Sequence, residues 1–148
     1  MQLPIWVMCL IIVIIIAITF LVLGDRDHKK RYWERKSEQI LSDAGYGHNF
    51  RLLIVESDQT YVTGRRNGKG HTISAKIYLC TKNKYGRSYG KNTIMSALIH
   101  ELAHIVQPSA GHDDAAFIET MERLAVSAQK FSSYDPFSPT DSSYPCVD

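Results

Sequence analysis

Three histidines and a glutamate stand close together in "ALIHELAHIVQPSAGHDDAAF", from Ala97 to Phe117. His100 and His104 are four residues apart, so on a helix their imidazoles lie one turn apart on the same face and can converge on one ion. Zinc suits such nitrogens, and a catalytic zinc takes three protein ligands, with water in the fourth position. Glu101 is turned about 100° around the helix from His100, which lets it reach a water on the metal without being a ligand. The third ligand has to come from outside the pair. Pro108 stops the helix and Gly111 permits a tight bend, so "QPSAG" turns the chain back and brings His112 toward the same cleft. The expected metal set is therefore His100, His104 and His112 around Zn2+, with Glu101 as the catalytic base. With six histidines in the chain, H-E-x-x-H arises by accident about once in a hundred such sequences.

The elements that must position these residues can be read from periodicity. Ile94, Met95, Leu98, Ile99, Leu102, Ile105 and Val106 surround the motif, so its helix is apolar almost all round and should cross a core. Asn92 or Thr93 is the expected cap at its start. A second helix from Asp113 to about Phe131 sets Phe117, Met121, Leu124, Ala128 and Phe131 on one stripe, with Asp113 and Asp114 suited to its N-terminal dipole. Upstream, a helix is expected from His28 to about Ala44, stopped by "GYGH". "FRLLIV" (50–55) reads as a buried strand, "TYVTG" leads into the Gly- and Asn-rich turn "RRNGKG", and "HTISAKIYLC" alternates apolar and polar positions as a strand does. The tail "SSYDPFSPTDSSYPCVD" is rich in Ser, Pro and Asp and is expected as irregular chain.

At 148 residues the chain has room for one domain, and its first segment lies outside that domain. From Ile5 to Leu23 no charge interrupts "IWVMCLIIVIIIAITFLVL", and a helix of that length rises about 28 Å, close to the thickness of a bilayer core. No Lys or Arg precedes the run and no A-x-A-like site follows it, so it reads as an anchor rather than a cleaved signal. The division expected is residues 1–24 as the membrane anchor, 25–132 as the folded domain and 133–148 as the tail. Arg26, Lys29, Lys30, Arg31, Arg35 and Lys36 follow the span, whereas "MQLP" precedes it, which places the domain on the cytoplasmic side of a single-pass protein. The same basic run suits anionic headgroups. Over the whole chain 17 Lys and Arg face 15 Asp and Glu, so no nucleic-acid footprint stands out and no specific nucleic-acid partner is expected. Cys9 lies in the span. Cys80 and Cys146 lack the paired spacing of a zinc knuckle and read as thiols in a reducing compartment, or as a bridge should the domain face an oxidising one.

"HELAHIVQPSAGHDDAAF" resembles the metal-binding segment of the WLM and SprT-like zinc metallopeptidases, which combine a HELAH-like helix with a nearby G-H or H-D element and a following Phe. The wider stretch "IYLCTKN...NTIMSALIHELAHIV...GHDDAAF" is similar to short membrane-anchored metallopeptidases of large DNA viruses, and covers about Ile77 to Phe131. The resemblance implies a compact zincin-type α+β fold: a helix, about three antiparallel strands, an active-site helix and a C-terminal helix. It also implies that His100, His104 and His112 hold zinc, that Glu101 is the base, that the reaction is peptide hydrolysis, and that the membrane is a viral or host one.

The chemistry expected is that of a zinc metalloendopeptidase acting on a protein or peptide. Glu101 takes a proton from water, the resulting hydroxide attacks the scissile carbonyl, and Glu101 passes the proton to the leaving nitrogen. Substrate could add as a strand to the sheet edge, for which the Thr72 to Leu79 strand is the candidate. Tyr85, Tyr89, Tyr134 and Tyr144 are candidates for a second oxyanion donor. Two rival readings use the same residues. A zinc-stabilised membrane or virion protein would keep the metal for folding alone, although Glu101 would then have no task. A metal-dependent RNA hydrolase could use Arg65, Arg66 and Lys69 of "GRRNGKG" on phosphates, although that stretch also reads as an exposed turn.

Overall fold

The computed structural model describes residues 4–47 and 49–145. The chain divides into two compact units, Met1–Tyr32 and Trp33–Asp148. Helix α1 (Ile5–Asp43) is continuous through both, so the expected membrane segment and the expected helix from His28 are one element. Its N-terminal part has a window of mean hydropathy 3.3 and none of it is buried; by length and composition this helix can cross a membrane.

In the second unit α1 becomes part of a core. Ile40 and Leu41 are fully buried, Ser127 donates to the Ile40 carbonyl at 3.0 Å, and Lys36 donates to the Phe131 carbonyl. The helix ends at a left-handed Gly45, φ 89°. Tyr46 N–H then reaches back to the Leu41 carbonyl and Gly45 N–H to that of Ser42, which satisfies carbonyls that the last turn would otherwise leave bare.

Three strands follow: β1 (Phe50–Ser57), β2 (Tyr61–Asn67) and β3 (Ile73–Cys80), with a single 3-10 turn at Lys69–His71 between the last two. The α+β class and element order are as expected, but the sheet is mixed rather than antiparallel. The order is β1-β3-β2; β1 runs parallel to β3 and β2 antiparallel to it. Alternation of side chains specifies which face is buried and says nothing of strand direction, which explains the difference. A second expectation is also overturned. β3 is the central strand, paired on both sides, so it has no open edge for a substrate; the edges are β1 and β2.

Helix α2 (Lys91–Val106) crosses the core as its apolar surround predicts, with Leu98, Ile99, Leu102 and Ile105 almost fully buried. Its cap is Gly90, without a side-chain hydrogen bond. Asn92 and Thr93, expected as caps, instead accept backbone N–H groups of the C-terminal segment, from Asp135 at 2.8 Å and from Asp141 at 3.2 Å. Helix α3 (Ala115–Phe131) buries Phe117, Leu124 and Ala128 along the expected stripe.

Beyond α3 the chain is irregular but tied down. Tyr144 donates its hydroxyl to the Cys80 carbonyl at 2.6 Å and meets the Thr60 hydroxyl at 2.7 Å. Thr60 in turn accepts Cys80 N–H at 2.9 Å and gives its own N–H to the Pro145 carbonyl at 3.1 Å. Thr60 is fully buried, so this network satisfies polar groups that would be costly alone. Cys80 is buried, and burial pushes its thiol pKa up, away from thiolate reactivity. Cys146, the other half of the conditional bridge, lies outside the described residues.

Candidate metal centre

The site is assembled from the last two turns of α2 and the turn that follows. His100 and His104 project from one face of the helix, and their Nε2 atoms stand 3.0 Å apart. Gln107 ends the helix with its N–H on the Ala103 carbonyl. The chain then folds back through Pro108 and Ala110 until the His112 Nε2 lies 3.0 Å from that of His104. The three imidazoles form a group that could hold a metal ion, with one ligand atom from each and all within 4.8 Å of one another.

The geometry suits a cation. A ring nitrogen carries either a proton or a lone pair, so one Nε2 that faces two others cannot donate to one and accept from the other. Three lone pairs converging on an ion have no such conflict. Nitrogens about 2.0–2.1 Å from a tetrahedral zinc are roughly 3.4 Å apart. The His104 nitrogen is within a few tenths of an ångström of that spacing to each neighbour, and the three donors together could hold a metal ion.

What holds His112 in place differs from the sequence expectation. Gly111 does not adopt a left-handed conformation, and a Cβ there would meet Asp114 Oδ2 only at ordinary contact distance, 3.8 Å. The turn is closed by Asp114. Its carboxylate accepts Gly111 N–H at 2.7 Å, while its own N–H goes to the Gly111 carbonyl at 3.0 Å. Asp114 is also the cap residue of α3, without a side-chain hydrogen bond to that helix: its carboxylate closes the loop that carries His112, while its backbone carbonyl accepts Phe117 and Ile118 N–H, each at 3.0 Å, at the start of α3.

Phe117 completes the support. Its ring centroid is 5.6 Å from that of His100, 4.8 Å from His104 and 5.2 Å from His112, and the residue is 3% exposed. One apolar ring thus backs all three imidazoles and keeps water from their inner side. Glu101 lies on the same turn of α2 as His100 and is 2% exposed. Burial of a carboxyl is expensive and points to a task other than solvation.

Arg65, which only the rival RNA-hydrolase reading would set on a phosphate, is placed otherwise. A left-handed Gly64, φ 64°, accompanies a register break in β2 between Thr63 and Arg66, and such a bulge re-aims the side chain next to it. Arg65 Nε donates to the Ile105 carbonyl at 2.7 Å, where a cation satisfies the C-terminal end of α2. Arg66, near the end of β2, and Lys69, in the 3-10 turn, are exposed.

Beside His100 opens a cavity of about 260 Å³, lined among others by Thr93 and Ala97 of α2, Met121 of α3, and Asp141 and Tyr144 of the C-terminal segment. No periodicity could reveal that the tail forms one of its walls. Of the four candidate tyrosines, Tyr144 alone lines this cavity, and its hydroxyl is engaged with Cys80 and Thr60. Tyr89 packs edge-on against it, with centroids 4.8 Å apart. Tyr85 is 75% exposed, and Tyr134 packs half-buried against the core.

Comparison with known proteins gives one distant relative to weigh. Over 95 residues the chain is 35% identical to "Uncharacterized protein 042R" of Invertebrate iridescent virus 3, a match that takes in 63% of this chain and 53% of that protein. The chain therefore spans about half the length of the relative it matches. No family model matches the sequence, and no solved structure matches the fold.

Proposed function

We propose that the protein is a membrane-anchored zinc metallopeptidase of the WLM and SprT-like kind, with its domain on the cytoplasmic side. The observation that carries this reading is the convergence of His100, His104 and His112 beside the buried Glu101. A structural zinc site is closed by four protein ligands, whereas three nitrogens leave the fourth position to water.

Zinc held by the three imidazoles supplies Lewis acidity that polarises a peptide carbonyl and makes water a nucleophile near neutral pH. The protein's own residues do the rest. Glu101 accepts a proton from the attacking water on its carboxylate and hands it to the departing amide nitrogen, so it ends the cycle as it began. Phe117 excludes water from the inner side of the ligands, and the Asp114 turn holds His112 against the helix pair. The extended substrate adds along the outer edge of β2, the edge strand tied to α2 through Arg65, and donates and accepts main-chain hydrogen bonds there.

Two observations weigh against the rivals. Arg65 is committed to the helix end, which removes one of the three bases proposed for phosphate contact. Glu101 offers a base, which turnover needs and a site that only stabilises the fold does not. Zinc analysis of the full-length protein in detergent, followed by a peptide-library cleavage assay with Glu101→Gln as control, tests the reading. Stoichiometric zinc with Glu101-dependent cleavage is the expected result; an absence of bound zinc would end it.

A further inference from the structure

We propose that the cavity beside His100 is a subsite for a basic side chain, lysine or arginine, and that Asp141 selects it. This rests on the metallopeptidase reading above and names the class of substrate it prefers.

The cavity's position is the first reason. His100 is both a candidate metal ligand and a lining residue, so a side chain seated there belongs to a residue next to the bond being cut. Its size is the second. At about 260 Å³ it falls just under the roughly 300–1,000 Å³ of pockets that enclose whole small ligands, and suits one long side chain.

Its chemistry is the third reason. Among the described lining residues Asp141 is the one carboxylate, and none is a Lys or Arg. Met121 and Ala97 offer apolar contact for a methylene stem, with the charged end left to the polar wall. That wall is well anchored. Asp141 N–H donates to Thr93 Oγ1 at 3.2 Å, and its Oδ1 accepts both N–H and O–H of Ser143, at 2.9 Å and 2.6 Å. The Ser143 hydroxyl and then its N–H hold the Asp141 carboxyl below the usual carboxylate range. A fixed negative charge at the rim of a partly apolar cavity discriminates for cations and against acidic side chains.

The test measures binding without turnover. Full-length Glu101→Gln protein, zinc-loaded in detergent, is titrated with a short acetylated and amidated alanine-rich peptide carrying one lysine, and with its norleucine and glutamate counterparts. The lysine peptide should bind about fivefold tighter than norleucine, the scale of a solvent-accessible ion pair, with the gap narrowing as salt is added. Asp141→Asn keeps an oxygen for Ser143 N–H and should abolish the difference at unchanged zinc content, and Asp141→Lys should favour the glutamate peptide. Equal affinities for lysine and norleucine, or a lysine preference that survives Asp141→Asn, overturn the proposal. Failure of the wild type to cleave any peptide would count against the peptidase reading alone, because this comparison does not depend on cleavage.

Discussion

The ring of Phe117 lies 4.8 Å from that of His104, tilted 46° to it, on the opposite side of the chain reversal that separates the two residues. The contact joins the start of α3 to the end of α2 through the candidate metal ligands. Phe117→Ala should cost about 3–5 kcal/mol of stability by urea unfolding, the usual penalty for emptying such a site. Phe117→Leu keeps most of the volume and should fold. It should still lower zinc affinity by about ten- to a hundredfold in chelator competition, because residues that orient ligands carry effects of that size.

The full-length protein in detergent should contain one zinc per chain. Replacing His100 or His104 by alanine should abolish tight binding, and His112→Ala should weaken it, since His112 rides on a turn rather than on the helix. Elemental analysis of the purified variants decides this. Full zinc in His100→Ala would place the metal elsewhere.

Glu101→Gln separates enzyme from scaffold. The amide keeps size and hydrogen bonding but cannot accept the proton, so zinc content and fold should persist. Hydrolysis of any accepted peptide should fall by about a hundred- to ten-thousandfold. Equal rates at equal zinc content would remove Glu101 from the chemistry.

Arg65→Met keeps the apolar stem and removes the donor to the Ile105 carbonyl. Denaturation midpoints should shift to show a loss of about 1.5–3 kcal/mol, the range for a hydrogen bond made by a charged group. Arg66→Met, at an exposed position near the end of β2, should change stability by less than about 0.5 kcal/mol. If the two variants lose stability equally, the capping role assigned to Arg65 is wrong.

Protease added outside intact cells or sealed vesicles should leave the domain undigested, because the basic run after the apolar segment belongs on the cytoplasmic side. Permeabilisation should then expose it. Digestion before permeabilisation would reverse the orientation and make the state of Cys80 and Cys146 an immediate question.

Much of this architecture was legible in the residues. The apolar surround of His100 and His104 marked α2 as a core helix, and the stripe from Phe117 to Phe131 marked α3, because helical periodicity survives in any tertiary setting. The grouping of His100, His104 and His112 could be anticipated from spacing and from Pro108. What could not be read are the relations between distant segments. The parallel pairing of β1 with β3 leaves no trace in alternation. Asn92 and Thr93 have the residue types of helix caps, yet they receive Asp135 and Asp141 from the tail, a competition that local propensity does not see. A signal for the His112 turn was present in "GHDD": an Asp three residues after Gly111 can close a turn by its side chain, which is a more specific device than a flexible glycine.

The anchoring of the tail through Thr60, Thr93 and Tyr144 sets an order of events during synthesis. Thr60, β3 and all three histidines leave the ribosome ahead of Asp141 and Tyr144, and segments fold broadly in the order they appear. A nascent chain can therefore gather its metal ligands while the wall of the neighbouring cavity is still missing. The three imidazoles are thus open to an ion before the cleft beside them is complete, and a chain halted between the two would lack the surface that lines that cleft.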